Sequence, residues 1–158
     1  MSVTLEVQYE VEAAPDEGDI RRWVEAVLAA EANKADLELT VRIVGVEEIV
    51  ELNARYRHKT GPTNILSFPF EAPPGVELNL LGDLVIAAPV VVDEAQQQHK
   101  TETAHWAHMV VHGTLHLLGY DHQASAEAED MEAREIRILQ NLGCLLYTSD
   151  AADDDTIV

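Results

Sequence analysis

Val3, Leu5, Val7 and Tyr9 alternate with polar residues, the period of a strand with one buried face. The period then changes: between Asp19 and Ala32, the residues Ile20, Trp23, Val24, Val27 and Leu28 recur at helical spacing. Leu37, Leu39, Val41 and Ile43 alternate again, and Glu47–Tyr56 gathers Ile49, Val50, Leu52 and Asn53 on one side of a short helix. Arg57–Asn64, broken by Gly61-Pro62, reads as turns before a β-branched and aromatic strand over Ile65–Phe70. Pro73-Pro74-Gly75 make a loop, and Leu80–Ala88 is apolar enough for a buried strand. Helices are predicted over Pro89–Gln98, Thr103–Leu118 and Ala126–Leu142. Strand, helix, strand, helix, two strands and three helices predict an α/β fold, a small mixed β-sheet packed with helices.

At 158 residues the chain suits one domain, and a domain of this size buries roughly 70% of its unfolded surface without a disulfide or metal staple. The longest apolar stretch, Leu84–Val92, contains Pro89 and falls well short of the ~20 residues of a membrane span. Met1–Glu10 carries acids in place of the basic and apolar regions of a signal peptide, so the cytoplasm is the expected location. Cys144 is the single cysteine and agrees with a reducing compartment. Residues Cys144–Asp153 read as the conceptual translation of a transposase sequencing adapter. The domain is therefore expected to span 1–143, with 144–158 a non-native tail and the authentic C-terminus missing.

Ten Lys and Arg against 29 Asp and Glu give a net charge of −19, which excludes a broad electrostatic grip on nucleic acid. Any such function needs a local basic patch. The one dense cluster is Arg55, Arg57, His58 and Lys59, beside a Gly-Pro turn.

The chemistry concentrates in His112-Gly113-Thr114-Leu115-His116-Leu117-Leu118-Gly119-Tyr120-Asp121-His122. Residues four apart on a helix are rotated by only about 40°, so His112 and His116 present their imidazoles on one face. Gly119 can end the helix in a left-handed conformation and let the chain turn back, so that His122 reaches the same point. Three neutral imidazoles suit one zinc ion and leave a fourth position for water, which points to hydrolysis or to activation of a nucleophile. A lone helical histidine is more often a solvated or satisfied side chain; two at i, i+4 and a third after a helix-breaking glycine are not. His105 and His108 extend the stripe and are expected to support or line the site without ligating metal. The acids of the last helix, Glu127, Glu129, Asp130, Glu132 and Glu135, read as a solvated face. The spacing is similar to that of metzincin proteases, but Gly113 stands where a protease carries its Glu base.

The histidine motif resembles the signature of the YbeY family of bacterial metal-dependent endoribonucleases. Further resemblance lies in Leu52-Asn53, Tyr56-Arg57, Pro62-Thr63-Asn64-Ile65-Leu66-Ser67-Phe68-Pro69 and Gly82-Asp83, and runs from about Val3 to Gly143. It implies an α/β fold, zinc on His112, His116 and His122, and a hydrolase that cuts phosphoester bonds in single-stranded RNA. It also implies a role in maturing the 3′ end of the 16S ribosomal RNA and in ribosome quality control. The small ribosomal subunit and its assembly factors would be partners; neither DNA nor a membrane is expected. Arg57 matches the family's functional arginine and, with His116, is the expected catalytic residue; Arg55, Arg57 and Lys59 are the expected RNA contacts, since guanidinium is shaped to clamp phosphate. Asp83 belongs to a recurrent motif of less clear role. Thr60 and Gly61 stand where relatives often carry Asp-Lys, one positive charge fewer near the cleft. Two alternatives remain open from the sequence: a zinc-containing ribosome-assembly factor that binds without cutting, and a metallohydrolase of a non-RNA substrate.

Overall fold

A computed structural model describes residues 3–12, 14–31, 36–76, 79–120 and 125–143. The elements run β1 (Val3–Tyr9), α1 (Glu17–Ala30), β2 (Leu37–Val44), α2 (Val46–Arg57), β3 (Ile65–Pro69), β4 (Leu80–Ala87), α3 (Ala88–Gln97), α4 (Glu102–Leu117) and α5 (Ser125–Leu142). This is the predicted order. The four strands lie in the order β1-β2-β4-β3. β1, β2 and β4 are parallel, and β3 pairs antiparallel to β4 along one edge. The mixed sheet therefore arises because the short β3 returns beside β4, while the parallel pairs need helical crossovers.

Period-2 alternation divides the sheet between two cores. Leu39, Val41, Ile43, Ile65, Leu84 and Ile86 face the larger one with Trp23, Val27, Trp106 and Met109. Val44, Leu66, Val85 and Ala87 face the smaller one, beneath Ile49 and Leu52 of α2. α1 opens on a capping carboxylate: Asp16 accepts from the backbone N–H of Asp19 at 2.9 Å.

α4 is the central helix. It packs against α1, α3, α5, β3 and β4, and every residue from Ala104 to Leu117 is buried. A helix buried all round is ordinarily apolar all round, yet this one carries four histidines. Gly113 lets it lie close on the sheet: a Cβ there would stand 2.7 Å from Ile65 Cδ1 and 2.8 Å from Leu84 Cδ2. Gly82 serves the same seam from the strand, at φ +143, where a Cβ would meet the Phe68 carbonyl oxygen at 2.3 Å and Leu117 at 2.9 Å. No described helix is long and apolar enough to cross a membrane.

Candidate metal centre and basic segment

α4 starts at Thr101, whose hydroxyl accepts from the Ala104 N–H at 3.1 Å, and its register sets the histidines in one stripe. Successive rings meet edge to face: His105 and His108 at 6.3 Å, His108 and His112 at 6.4 Å, His112 and His116 at 4.3 Å between centroids. The last pair is the closest. His112 Nε2 and His116 Nε2 lie 2.8 Å apart, with the two side chains at 0% and 1% exposure.

The other ring nitrogens explain this approach. His112 Nδ1 lies 2.9 Å from Glu135 Oε1, and His116 Nδ1 lies 2.7 Å from the Tyr120 carbonyl oxygen. A carboxylate and a carbonyl only accept, so each Nδ1 carries the hydrogen and donates it. In the neutral rings both Nε2 atoms then present lone pairs, and the two lone pairs face each other. That arrangement is repulsive unless a cation or a proton lies between them. Paired imidazole nitrogens are donors that zinc favours, and Nδ1–H donation to a carboxylate or carbonyl is the usual partner of a ligating histidine. The residues present fit a divalent cation of this kind.

Glu135 is the principal correction to the sequence reading. It does not belong to a solvated acidic face; it is 5% exposed, because α5 turns Met131, Glu135, Ile138 and Leu139 inward on one stripe. Oε1 also lies 2.9 Å from His108 Nε2. Burial alone would raise the Glu135 carboxyl, but the electrostatic pull of His112 and the hydrogen bonds from His108 and His112 outweigh it and hold it well below the usual carboxylate range. Burial lowers the His108 pKa despite its bond to Glu135, so His108 is a neutral donor through Nε2 at neutral pH. His105 Nε2 donates to Glu94 Oε1 at 3.0 Å, and Glu94 also accepts from Asn64 Nδ2 at 3.2 Å. The two outer histidines are thus held by carboxylates from α5 and α3.

The end of α4 is fixed as firmly. Gly119, at φ +107, lets the Tyr120 N–H reach the Leu115 carbonyl and its own N–H reach that of His116, at 3.1 and 3.0 Å. Tyr120, whose carbonyl orients His116, donates its hydroxyl to Glu31 Oε1 at 2.5 Å. Arg134 lies over the Tyr120 ring, 4.7 Å from its centroid, and donates to Glu31 at 2.7 Å and to Asp130 at 3.2 Å. This clamp ties the turn to α1 and α5. His122 and Asp121, which follow it, lie outside the described residues, as do 144–158. Among the described residues no three His, Cys, Asp or Glu side chains gather as a metal site.

The basic segment is built differently. α2 ends with His58 left-handed at φ 57, and Asn53, 3% exposed, ties the segment together. Its Nδ2 donates to the Gly61 carbonyl at 2.9 Å, and its Oδ1 accepts from Arg57 Nη1 at 3.3 Å. Arg57 is half-buried, whereas Arg55, His58, Lys59 and Thr60 are exposed. The Arg55 guanidinium lies 5.5 Å from the Tyr56 ring centroid. From the segment's far end, Asn64 connects through Glu94 to His105 and so to the top of the histidine stripe. Asp83 points elsewhere, into an open groove of about 430 Å³ lined also by Arg42, Tyr56 and Phe68, on the sheet face opposite α4. Burial, then Glu6, raises its pKa.

Glu94, Glu135 and the Glu31–Arg134 clamp went unpredicted. Glu135 left one signal: it stands four residues after Met131 and three before Ile138, a position the helix period assigns to the core.

Fold and site together define an α/β protein with a paired-histidine centre on a buried helix. The family described as Endoribonuclease YbeY matches residues 4–143, and the chain belongs to it. An Endoribonuclease YbeY of Nitrosococcus oceani is 54% identical over 147 residues, covering 90% of this chain and 95% of that protein. The solution structure of a Thermotoga maritima protein shares the fold, with a TM-score of 0.58, 21% identity and 97% of each chain covered.

Proposed function

We propose that the chain is a zinc-dependent endoribonuclease cutting single-stranded RNA, with one zinc ion on His112, His116 and His122. Its substrate is ribosomal RNA, at the 3′ end of the small-subunit RNA, in ribosome maturation and quality control in the cytoplasm; the small subunit and its assembly factors are its partners. The observation that carries the reading is the facing pair of Nε2 atoms at 2.8 Å in a chain of an endoribonuclease family. A cation held there supplies Lewis acidity for a phosphoryl oxygen and a source of hydroxide near neutral pH.

The protein's own groups orient the reactants. Glu135 and the Tyr120 carbonyl hold the Nδ1–H groups of His112 and His116, so both rings offer Nε2. Arg57, steadied by Asn53, presents a planar fork to the scissile phosphate, where it also offsets charge that builds on the oxygens. Arg55 and Lys59 meet flanking phosphates, which position the strand without reading its sequence. Because these contacts displace counterions, binding weakens as salt rises.

The test is cleavage of an end-labelled single strand by the purified protein, with a duplex control, a chelator, zinc add-back and His116→Ala. Cutting of the single strand that chelator abolishes, zinc restores and folded His116→Ala lacks is the expected result. A folded, zinc-loaded protein that binds the strand without cutting would overturn the catalytic reading in favour of an assembly factor.

A further inference from the structure

One oxygen of Glu135 accepts from two histidines of α4, His108 Nε2 and His112 Nδ1, each at 2.9 Å. It is the sole charged group among Met131, Ile138 and Leu139, the buried stripe of α5. An ionised carboxylate is costly in such a place unless hydrogen-bonded, and an apolar residue would satisfy the helix period. Packing therefore does not account for it. Its two bonds do something packing cannot: they select a tautomer. With Glu135 present, His112 carries hydrogen on Nδ1 and offers Nε2 as a lone pair. Without an acceptor there, His112 gains by moving the hydrogen to Nε2, where His116 Nε2 waits at 2.8 Å as an acceptor. The paired lone pairs would then become an ordinary hydrogen bond, closed to a cation.

We propose that Glu135 is a positioning residue that keeps His112 in its Nδ1–H form and thereby holds the histidine pair open for a metal ion, with His108 as the second anchor that fixes the carboxylate. The proposal rests on the reading of His112 as a metal ligand. It also gives the carboxylate an electronic part, because a charged acceptor at Nδ1 makes Nε2 a stronger donor to metal. Tyr120 serves His116 through a neutral carbonyl, so the two rings are supported unequally and His112 depends on a side chain that can be replaced.

Three variants separate these roles: Glu135→Leu removes the acceptor, Glu135→Gln keeps an acceptor oxygen without the charge, and His108→Phe leaves the Glu135–His112 bond in place. Zinc affinity is measured by competition with a chromophoric chelator, and the tautomer of His112 in metal-free protein by long-range ¹H–¹⁵N correlation. Glu135→Leu is expected to shift His112 to Nε2–H and to weaken zinc binding about 10–100-fold, the usual range for such outer partners. Glu135→Gln should keep the Nδ1–H form and lose less than Glu135→Leu but more than about twofold, and His108→Phe should lose clearly less than Glu135→Gln. If Glu135→Leu fails to fold, Glu135→Gln decides the matter. Zinc affinity in the Gln variant within twofold of wild type, or an equal loss in His108→Phe, overturns the proposal. A wild-type chain that binds no zinc sinks the metal reading and the proposal with it; one that binds zinc while both Glu135 variants match it sinks the proposal alone.

Discussion

The histidine pair and the basic segment carry complementary halves of the proposed chemistry, yet they are built by opposite means. His112 and His116 are sealed in α4, and each ring is held by an acceptor outside that helix, one on α5 and one in the turn beyond it. That turn is itself clamped by Glu31 and Arg134. Arg57 stands half-buried, donates to Asn53 at 3.3 Å and lies between exposed Arg55 and Lys59. The difference follows from what each must do. Two lone pairs can be kept face to face only by a surrounding structure that over-determines them, whereas a phosphate-binding cation must stay accessible and adjust to its strand. Damage to the first region should remove function outright, and damage to the second should weaken it at a small cost in stability.

The largest effect is expected in the sealed region. His116→Ala removes one of the paired donors and should lower RNA cleavage by about 10³-fold or more, since a Lewis acid contributes several kcal/mol to such a reaction. Circular dichroism should show the fold retained; a variant that keeps a tenth of the activity would break the comparison. Arg57→Ala should reduce kcat/KM by about 10–100-fold, from loss of a charge-assisted contact of about 1.5–3 kcal/mol. Its unfolding midpoint should fall by no more than a few degrees, since the half-buried guanidinium gives up its bond to Asn53, and a variant that no longer folds would show the two regions to be mechanically one.

Gly113→Ala sharpens the contrast through packing. The added methyl would press on Ile65 and Leu84, and overfilling of this kind costs about 1–3 kcal/mol. Thermal unfolding should fall by several degrees, with cleavage lost only as the protein unfolds. The smallest effect concerns Asp83, on the sheet face opposite the histidine helix. Its pKa is raised in the folded protein by burial and by Glu6, so the folded state holds that proton more tightly than the unfolded one. Its carboxylate therefore disfavours folding above its folded pKa, and the disadvantage fades as pH falls through it. Asp83→Asn should slightly raise the unfolding midpoint at pH 7 and lose that advantage in acid, with unfolding curves at the two pH values as the check.

The α/β alternation was legible because each element buries one face, so periods of 2 and 3.6 are written into residues such as Val3 to Tyr9 and Ile20 to Leu28. The apolar run at Leu84–Ala87 likewise marked a strand covered on both faces. Strand order was not legible: nothing local to Ile65–Pro69 says that it returns antiparallel to β4 at the edge. The histidine spacing was readable for the same reason as the elements, since i and i+4 share a helix face. Glu135 was not read correctly, because charge was weighed by composition along α5 and not by position in its stripe. The Tyr120, Glu31 and Arg134 clamp joins residues as far apart as 103 positions, and no pattern within one element could reveal it.

Neutral imidazoles of α4 are proposed to hold the metal. X-ray absorption at the zinc edge of the zinc-loaded protein reads those ligands. Nitrogen scatterers at about 2.0–2.1 Å with the outer-shell pattern of imidazole, weakened in whatever zinc His116→Ala still holds, are expected. A shell without imidazole, or a spectrum unchanged in His116→Ala, would contradict the proposal.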